Sequence, residues 1–246
     1  MENALLIGLS RQTALARQLE VIANNMANLR TPGFKGESLM FEEYLMPGAQ
    51  VTDASGSDAR LSYVYDVGLA RDFSTGQFER TDNELDVAIE GQGWLVAETP
   101  EGPRYTRDGA LKISAEGLLV SGAGNTILGE GGPIQFAPGD HDIVIANDGT
   151  ISTADGERGR LKLVAFENQS TLEKIGNNMF SASEEPKAAD KVRIVQGMIE
   201  RSNVQPVVET ARMIEVTRAY ATTAQLLDQM QDLRRDAIER LGTVPN

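Results

Sequence analysis

The sequence predicts an α+β protein, with N- and C-terminal helices forming a coiled-coil domain and a central all-β domain between them. Three observations carry this. Apolar residues recur at alternating three- and four-residue spacing at both ends of the chain. The middle is a series of short strand-like runs, punctuated by Gly and Asp about every 8–12 residues. The charge imbalance is confined to that middle: the 246 residues carry a net charge of −13. Residues 1–34 hold three Arg against two Glu, and residues 198–246 hold six Arg against seven acids. Near-neutral ends on an acidic body suit ends that meet partners and a body that faces water.

Taken in chain order, the first element is a helix from about Asn3 to Leu29, roughly 40 Å long at 1.5 Å per residue. Leu5, Leu9, Ala16, Leu19, Ala23 and Met26 form one stripe, and Leu15, Leu19, Ile22, Met26 and Leu29 an adjacent heptad seam. Together they cover more than one side, which suits a helix with neighbours on two sides. Asn24, Asn25 and Asn28 sit beside the seam. Asn is a poor interior helix former, so these amides need partners, and an interfacial Asn fixes register at such a cost. Thr31-Pro32-Gly33-Phe34 then stops the helix, because the residue before Pro is pushed out of the α region. Pro32 and Gly33 suit the central positions of a type II turn, with Phe34 as the apolar anchor after it.

Residues 35–72 read as an extended connector; within it Met46–Tyr63 is rich in Gly, Ser and Asp and is expected to be mobile. Residues 73–201 form the all-β domain, of sandwich or barrel type. Leu85–Ile89, Gly93–Ala97, Leu118–Val120, Thr126–Leu128 and Leu161–Phe166 read as strands. Asp108-Gly109 and Asp148-Gly149 read as hairpin turns. Residues 202–246 complete the terminal helical domain with residues 1–34. Ser202-Asn203-Val204-Gln205-Pro206 opens the last helix, with Pro206 as its first residue. Met213, Val216, Tyr220, Thr223, Leu227 and Met230 keep the helical spacing, and Leu226, Met230, Leu233, Ala237 and Leu241 continue it. No Gly or Pro interrupts Val207–Leu241. A charged helix of that length points to a coiled coil.

Composition excludes several chemistries. There is no Cys and a single His, His141, which removes disulfide scaffolds, zinc fingers and multi-histidine metal sites. The acidic field disfavours nucleic acid. No apolar run reaches the roughly 18 residues of a membrane span, and Met1-Glu2-Asn3 does not open a secretory signal, so the default compartment is the cytoplasm. Asp82, Glu84 and Asp86 cluster at a strand start, and Asp140 and Asp142 flank His141. A glycosidase needs two carboxylates at a set spacing, but acidic turns on an acidic body supply such pairs by chance. No Gly-x-Ser-x-Gly elbow accompanies His141. Asp53–Asp58 lacks the closing Glu of a calcium loop, and Gly91-Gln92-Gly93 lacks the third Gly of a dinucleotide fingerprint. No cofactor is expected. An enzyme built on the acidic cluster, with helices serving only oligomerisation, is the alternative of a different class.

Three runs carry a resemblance. Ile22-Ala23-Asn24-Asn25-Met26-Ala27-Asn28 through Thr31-Pro32-Gly33-Phe34-Lys35 resembles the signature of bacterial flagellar rod and hook proteins. Leu85-Asp86-Val87-Ala88-Ile89-Glu90-Gly91-Gln92-Gly93 and Tyr105-Thr106-Arg107-Asp108-Gly109 resemble that family's central pattern. Glu200-Arg201-Ser202-Asn203-Val204-Gln205-Pro206-Val207, with Met213-Ile214-Glu215 and Arg218-Ala219-Tyr220, resembles its C-terminal signature. Gln205 and Arg30 depart from the usual pattern, and Gln is the weaker helix cap.

The resemblance implies a structural, non-enzymatic subunit of the basal-body rod, closest to its proximal-rod members, with a distal-rod or hook-type protein as the alternative. It implies export through the flagellar type III apparatus without a cleaved signal. It also implies a place in the periplasmic rod, contacts with other rod proteins and copies of itself, and torque transmission for motility. The expected assembly interface comprises Leu5, Leu9, Leu19, Ile22, Asn24, Asn25, Met26 and Asn28 of the first helix and Pro32, Gly33 and Phe34 of the turn. From the C-terminal end it takes in Asn203, Pro206, Met213, Ile214, Arg218, Tyr220, Leu227 and Met230.

Overall fold

A run of helix formers without proline gives α1, Glu2–Ala27, in a computed structural model that describes residues 2–46, 61–189 and 191–242. At the other end Pro206 occupies the first helical position, where its missing N–H costs nothing, and opens α2, Pro206–Gly242, of 37 residues. The Gln205 carbonyl accepts the first intrahelical bond, from Glu209 N at 3.0 Å. Gln205 therefore starts the helix through its backbone, despite a side chain that caps poorly.

The chain divides into two units. The helical unit comprises Met1–Met26, Glu37–Ala70 and Gln205–Asn246; the β unit comprises Ala27–Gly36 and Arg71–Val204. In the helical unit, Asn25 near the end of α1 reaches Glu209 in the first turn of α2, at 3.4 Å. At the other end of α1, a Cβ added to Gly8 would lie 2.5 Å from Leu227 Cδ2. The two helices therefore lie antiparallel and approach closely at Gly8. The stretch expected to be an extended connector contains two strands, Glu37–Met46 and Leu61–Arg71, paired as a two-stranded sheet. Aromatic and β-branched residues such as Tyr63, Val64, Tyr65 and Val67 favour that state. Most of the Gly-, Ser- and Asp-rich stretch, including Asp53–Asp58, lies outside the described residues.

The β unit is built of antiparallel pairs. Its main sheet has ten strands; along its central path run Leu172–Gly176, Met179–Ala182, Gly102–Thr106, Trp94–Thr99 and Thr126–Gly129. A three-stranded sheet joins Val144–Ile145, Thr150–Thr153 and Gly156–Arg160. The first and last strands of the unit pair with one another. Val87–Glu90 takes Arg193–Gln196, and Phe78–Arg80 takes Met198–Glu200.

Asp148-Gly149 turns the hairpin expected of it, with Gly149 at φ 89° and Ala146 N bonded to Thr150 O at 2.8 Å. Asp108-Gly109 does not. The strand before it, Gly102–Thr106, pairs with Trp94–Thr99 and Met179–Ala182, while Lys112–Ile113 pairs with Leu119–Val120. Gly109 is needed there for close approach: its carbonyl accepts Val87 N, and an added Cβ would fall 1.7 Å from Val87 O.

Two apolar clusters fill the unit. The larger takes one face of several strands, with Val87, Ile89, Leu95, Leu119, Ile127 and Ile151 almost fully buried. The smaller is aromatic. Trp94 meets Phe180 edge-on at 5.1 Å and Phe73 at 5.9 Å, and Tyr105 meets Phe166 at 4.8 Å.

Candidate assembly interface

Helix α1 ends where the sequence says it must. Phe34 N bonds to Thr31 O at 3.3 Å and Gly33 has φ 67°, the left-handed third position of a type II turn. Only glycine fits: an added Cβ would sit 2.4 Å from the Arg107 carbonyl group. Phe34 is buried beneath the Lys174 ammonium, 4.2 Å from the ring centre. Asn28 Oδ1 accepts the Thr31 hydroxyl at 3.0 Å. Asn25 finds the partners its type demands: its amide nitrogen donates to Glu37 O at 2.7 Å, and its oxygen accepts Glu37 N at 3.0 Å.

At the C-terminal end, Asn203 is the matching amide. Its oxygen accepts Gly36 N at 2.8 Å, and its nitrogen donates to Asp72 O at 2.8 Å and to Ser74 O at 3.2 Å.

Between these lies a group that sequence reasoning did not single out. The Glu200 carboxylate is buried and receives Lys35 Nζ and Arg107 Nε, each at 2.7 Å, and Gly76 N at 2.9 Å. Arg107 Nη1 donates to the carbonyls of Gly91 and Gly93, each at 2.9 Å, and Nη2 to that of Ile89 at 2.8 Å. Lys35 also donates to Ser74 O at 2.7 Å. Burial pulls the Lys35 ammonium below the ordinary lysine range, against the opposing pull of Glu200. Lys35, Arg107 and Glu200 each come from one of the three signature runs. The signal available was a charge set directly beside apolar residues, as in Phe34-Lys35 and Ile199-Glu200. Gly91-Gln92-Gly93 seats this arginine, and no phosphate loop is formed.

The expected interface residues fall into two groups. Ile22, Asn25, Gly33 and Phe34 are buried within the chain's own packing, and Leu5, Leu19, Met26, Met213, Tyr220 and Leu227 are half-buried. Asn28, Pro32 and Asn203 are also half-buried, at the ends of the β unit. Leu9, Ile214 and Met230 are exposed, as are Asn24, Pro206 and Arg218. Leu6, Val207, Leu226, Leu233 and Ile238 join them as exposed large apolar side chains. Leu5, Leu9, Gln12, Ala224, Leu227 and Gln231 line an open groove between the helices.

In the acidic cluster, Asp82 and Glu84 line one open surface pocket with Asn83 and Gln196. Asp82 is exposed and paired with Arg80 at 2.5 Å, whereas Asp86 is buried and held by Asn83 Nδ2 at 3.0 Å. His141 is exposed, with Nδ1 3.0 Å from Gly139 O. Among the described residues no three acidic or histidine side chains are grouped to hold a metal, and no helix is long and apolar enough to cross a membrane.

Comparison with known proteins fits this geometry. Residues 5–35 match the family model described as flagella basal body rod protein. Residues 88–153 match the flagellar hook protein FlgE/F/G D1 domain, and residues 195–240 the flagellar basal body rod FlgEFG protein C-terminal. The chain is 39% identical to the flagellar basal-body rod protein FlgF of Caulobacter vibrioides, over 99% of this chain and 100% of the relative. It is 34% identical to FlgF of Mesorhizobium japonicum, over 99% of each. It is 27% identical to the basal-body rod protein FlgG of Bacillus subtilis, over 97% of this chain and 98% of that one. The paired amides Asn25 and Asn203, the glycine turn and the buried charge cluster are thus the physical content of the matched signatures, and the chain belongs to the flagellar basal-body rod proteins, as a structural subunit of the basal body and not an enzyme.

Proposed function

We propose that this subunit assembles into the periplasmic rod through its terminal helices, which complete a coiled-coil layer with copies of itself and with neighbouring rod proteins. The observation that carries this is the apolar surface that the helices leave uncovered. Ile214, Leu226, Leu233 and Ile238 on α2, and Leu6 and Leu9 on α1, are large apolar side chains left in water by the single chain. A contact of this kind that repeats head to tail without closing builds a helical tube, which can transmit torque. By the resemblance of its signature runs we place it in the proximal rod, with distal rod or hook as the alternative. The subunit reaches that place through the flagellar export apparatus, without a cleaved signal.

Within this reading the residues of the expected interface act in two ways. Leu9, Ile214 and Met230 make contact with neighbours. Asn25, Gly33, Phe34 and Asn203 fix the chain direction at the helix ends and act from inside. The test is Ile214→Asp combined with Leu233→Asp in the full chain. The purified variant keeps its melting temperature, while cells carrying it lose motility and the subunit is absent from isolated basal bodies. Normal motility with the variant incorporated would refute the reading.

A further inference from the structure

The β unit is not closed by one contiguous stretch of chain. Residues 31–36 arrive from the N-terminal side and are seated against residues 200–203, more than 160 positions later. The seat is polar and buried. Gly33 N donates to the Glu200 carbonyl at 2.7 Å, Asn178 Nδ2 donates to Pro32 O at 2.7 Å, and Asp72 N donates to Gly36 O at 2.9 Å. At its centre the single Glu200 carboxylate holds two cations from different parts of the sequence, and its side chain and that of Lys35 are essentially inaccessible to water.

We propose that Lys35, Glu200 and Arg107 form a latch that makes seating of residues 31–36 and 200–203 within the β unit one all-or-none event. The reason is electrostatic. With Lys35 withdrawn, Glu200 keeps Arg107 but loses a partner at Oε1 in a site that water does not reach. A buried charge stripped of a partner is strongly unfavourable, much more so than an exposed one. The half-open state is therefore disfavoured, and release of residues 31–36 carries residues 200–203 with it. Gly76 follows, because its N–H is bonded to the same carboxylate oxygen as Lys35. Any pull on the N-terminal segment is thereby felt at the segment that leads into α2, with the β unit as the connecting body.

Amide hydrogen exchange on the full chain tests this. In Lys35→Met, the amides of Gly33 and Gly36 lose protection, and those of Gly76, Arg201 and Asn203 lose it with them. The loss is roughly a hundredfold, the size expected for a buried carboxylate stripped of one of its two cations. The amides of Leu119 and Phe136, bonded elsewhere in the unit, hold theirs. Loss confined to residues 33–36 would overturn the proposal. Should Lys35→Met fail to fold, the same amides are followed in the unmodified protein at low denaturant. A latch gives the two segments one common opening curve, and separate curves would overturn it.

Discussion

The β unit and the helical unit treat their apolar residues in opposite ways. In the β unit Trp94, Leu95, Ile127 and Ile151 have no exposed surface, and the buried Glu200 carboxylate is matched by Lys35 and Arg107. In the helical unit Val207 is 82% exposed, Leu233 66%, Ile238 62% and Leu9 56%. Both units are rich in good formers of their own secondary structure, so the difference is not one of propensity. The β unit covers most of its large apolar side chains within the chain, with Val144 and Ile175 as exceptions. The helices have more apolar sides than the chain has partners for, and a helix in water draws most of its stability from packing. Burial, rather than sequence hydrophobicity, separates the part of the subunit that is finished from the part that awaits neighbours.

The largest break in this comparison comes from the finished side. Trp94→Ala removes the centre of the aromatic cluster and costs about 3–5 kcal/mol, read as a lower midpoint in urea. Gly33→Ala comes next. The left-handed backbone alone costs about 1–3 kcal/mol, and the new methyl group meets the Arg107 backbone, so thermal melting shows a lower midpoint. Asn25→Ala leaves the Glu37 amide and carbonyl without their side-chain partner and costs about 1–3 kcal/mol, seen as faster exchange of the Glu37 amide. On the unfinished side, Leu226→Ser and Leu233→Ser change the subunit's stability by no more than about 0.5 kcal/mol in either direction. Equal losses on the two sides would erase the distinction.

The smallest effect sharpens the electrostatic half of the comparison. Burial, with Asp86 nearby, holds the Asp108 carboxyl above the usual range. A carboxyl raised in the folded state favours folding in acid, and that contribution is lost as pH rises through its folded value. Asp108→Asn, which keeps an acceptor for Ala110 N, is therefore slightly more stable than the parent at pH 7. The advantage vanishes towards pH 4 in a melting series.

Much of this was legible because it is local. The three–four spacing gave both helices to within two or three residues, and Pro32-Gly33 gave the turn, since Pro fixes one dihedral and only Gly fits the next. What escaped is relational. Asp148-Gly149 and Asp108-Gly109 look alike in sequence, and only the pairing of their flanking strands separates a hairpin from a close approach. The ribbon of Glu37–Met46 and Leu61–Arg71 was read as connector because its turn-like middle outweighed its flanks. Asn177 and Asn178 both take positive φ between Leu172–Gly176 and Met179–Ala182, a turn whose two central residues are not Gly and so easily passed over. The Lys35–Glu200–Arg107 cluster joins residues far apart in sequence, and no spacing rule reaches that distance.

The pairing of the β unit's first strands with its last has a kinetic consequence. When Phe78–Arg80 is synthesised, its partner Met198–Glu200 is still more than a hundred residues from being made. Val87–Glu90 waits almost as long for Arg193–Gln196. Contacts of such separation slow folding, because loop closure must be met before pairing rewards it. The nascent chain therefore stays open for most of its synthesis, and the unit closes late, from its outermost strands, once nearly the whole sequence is available.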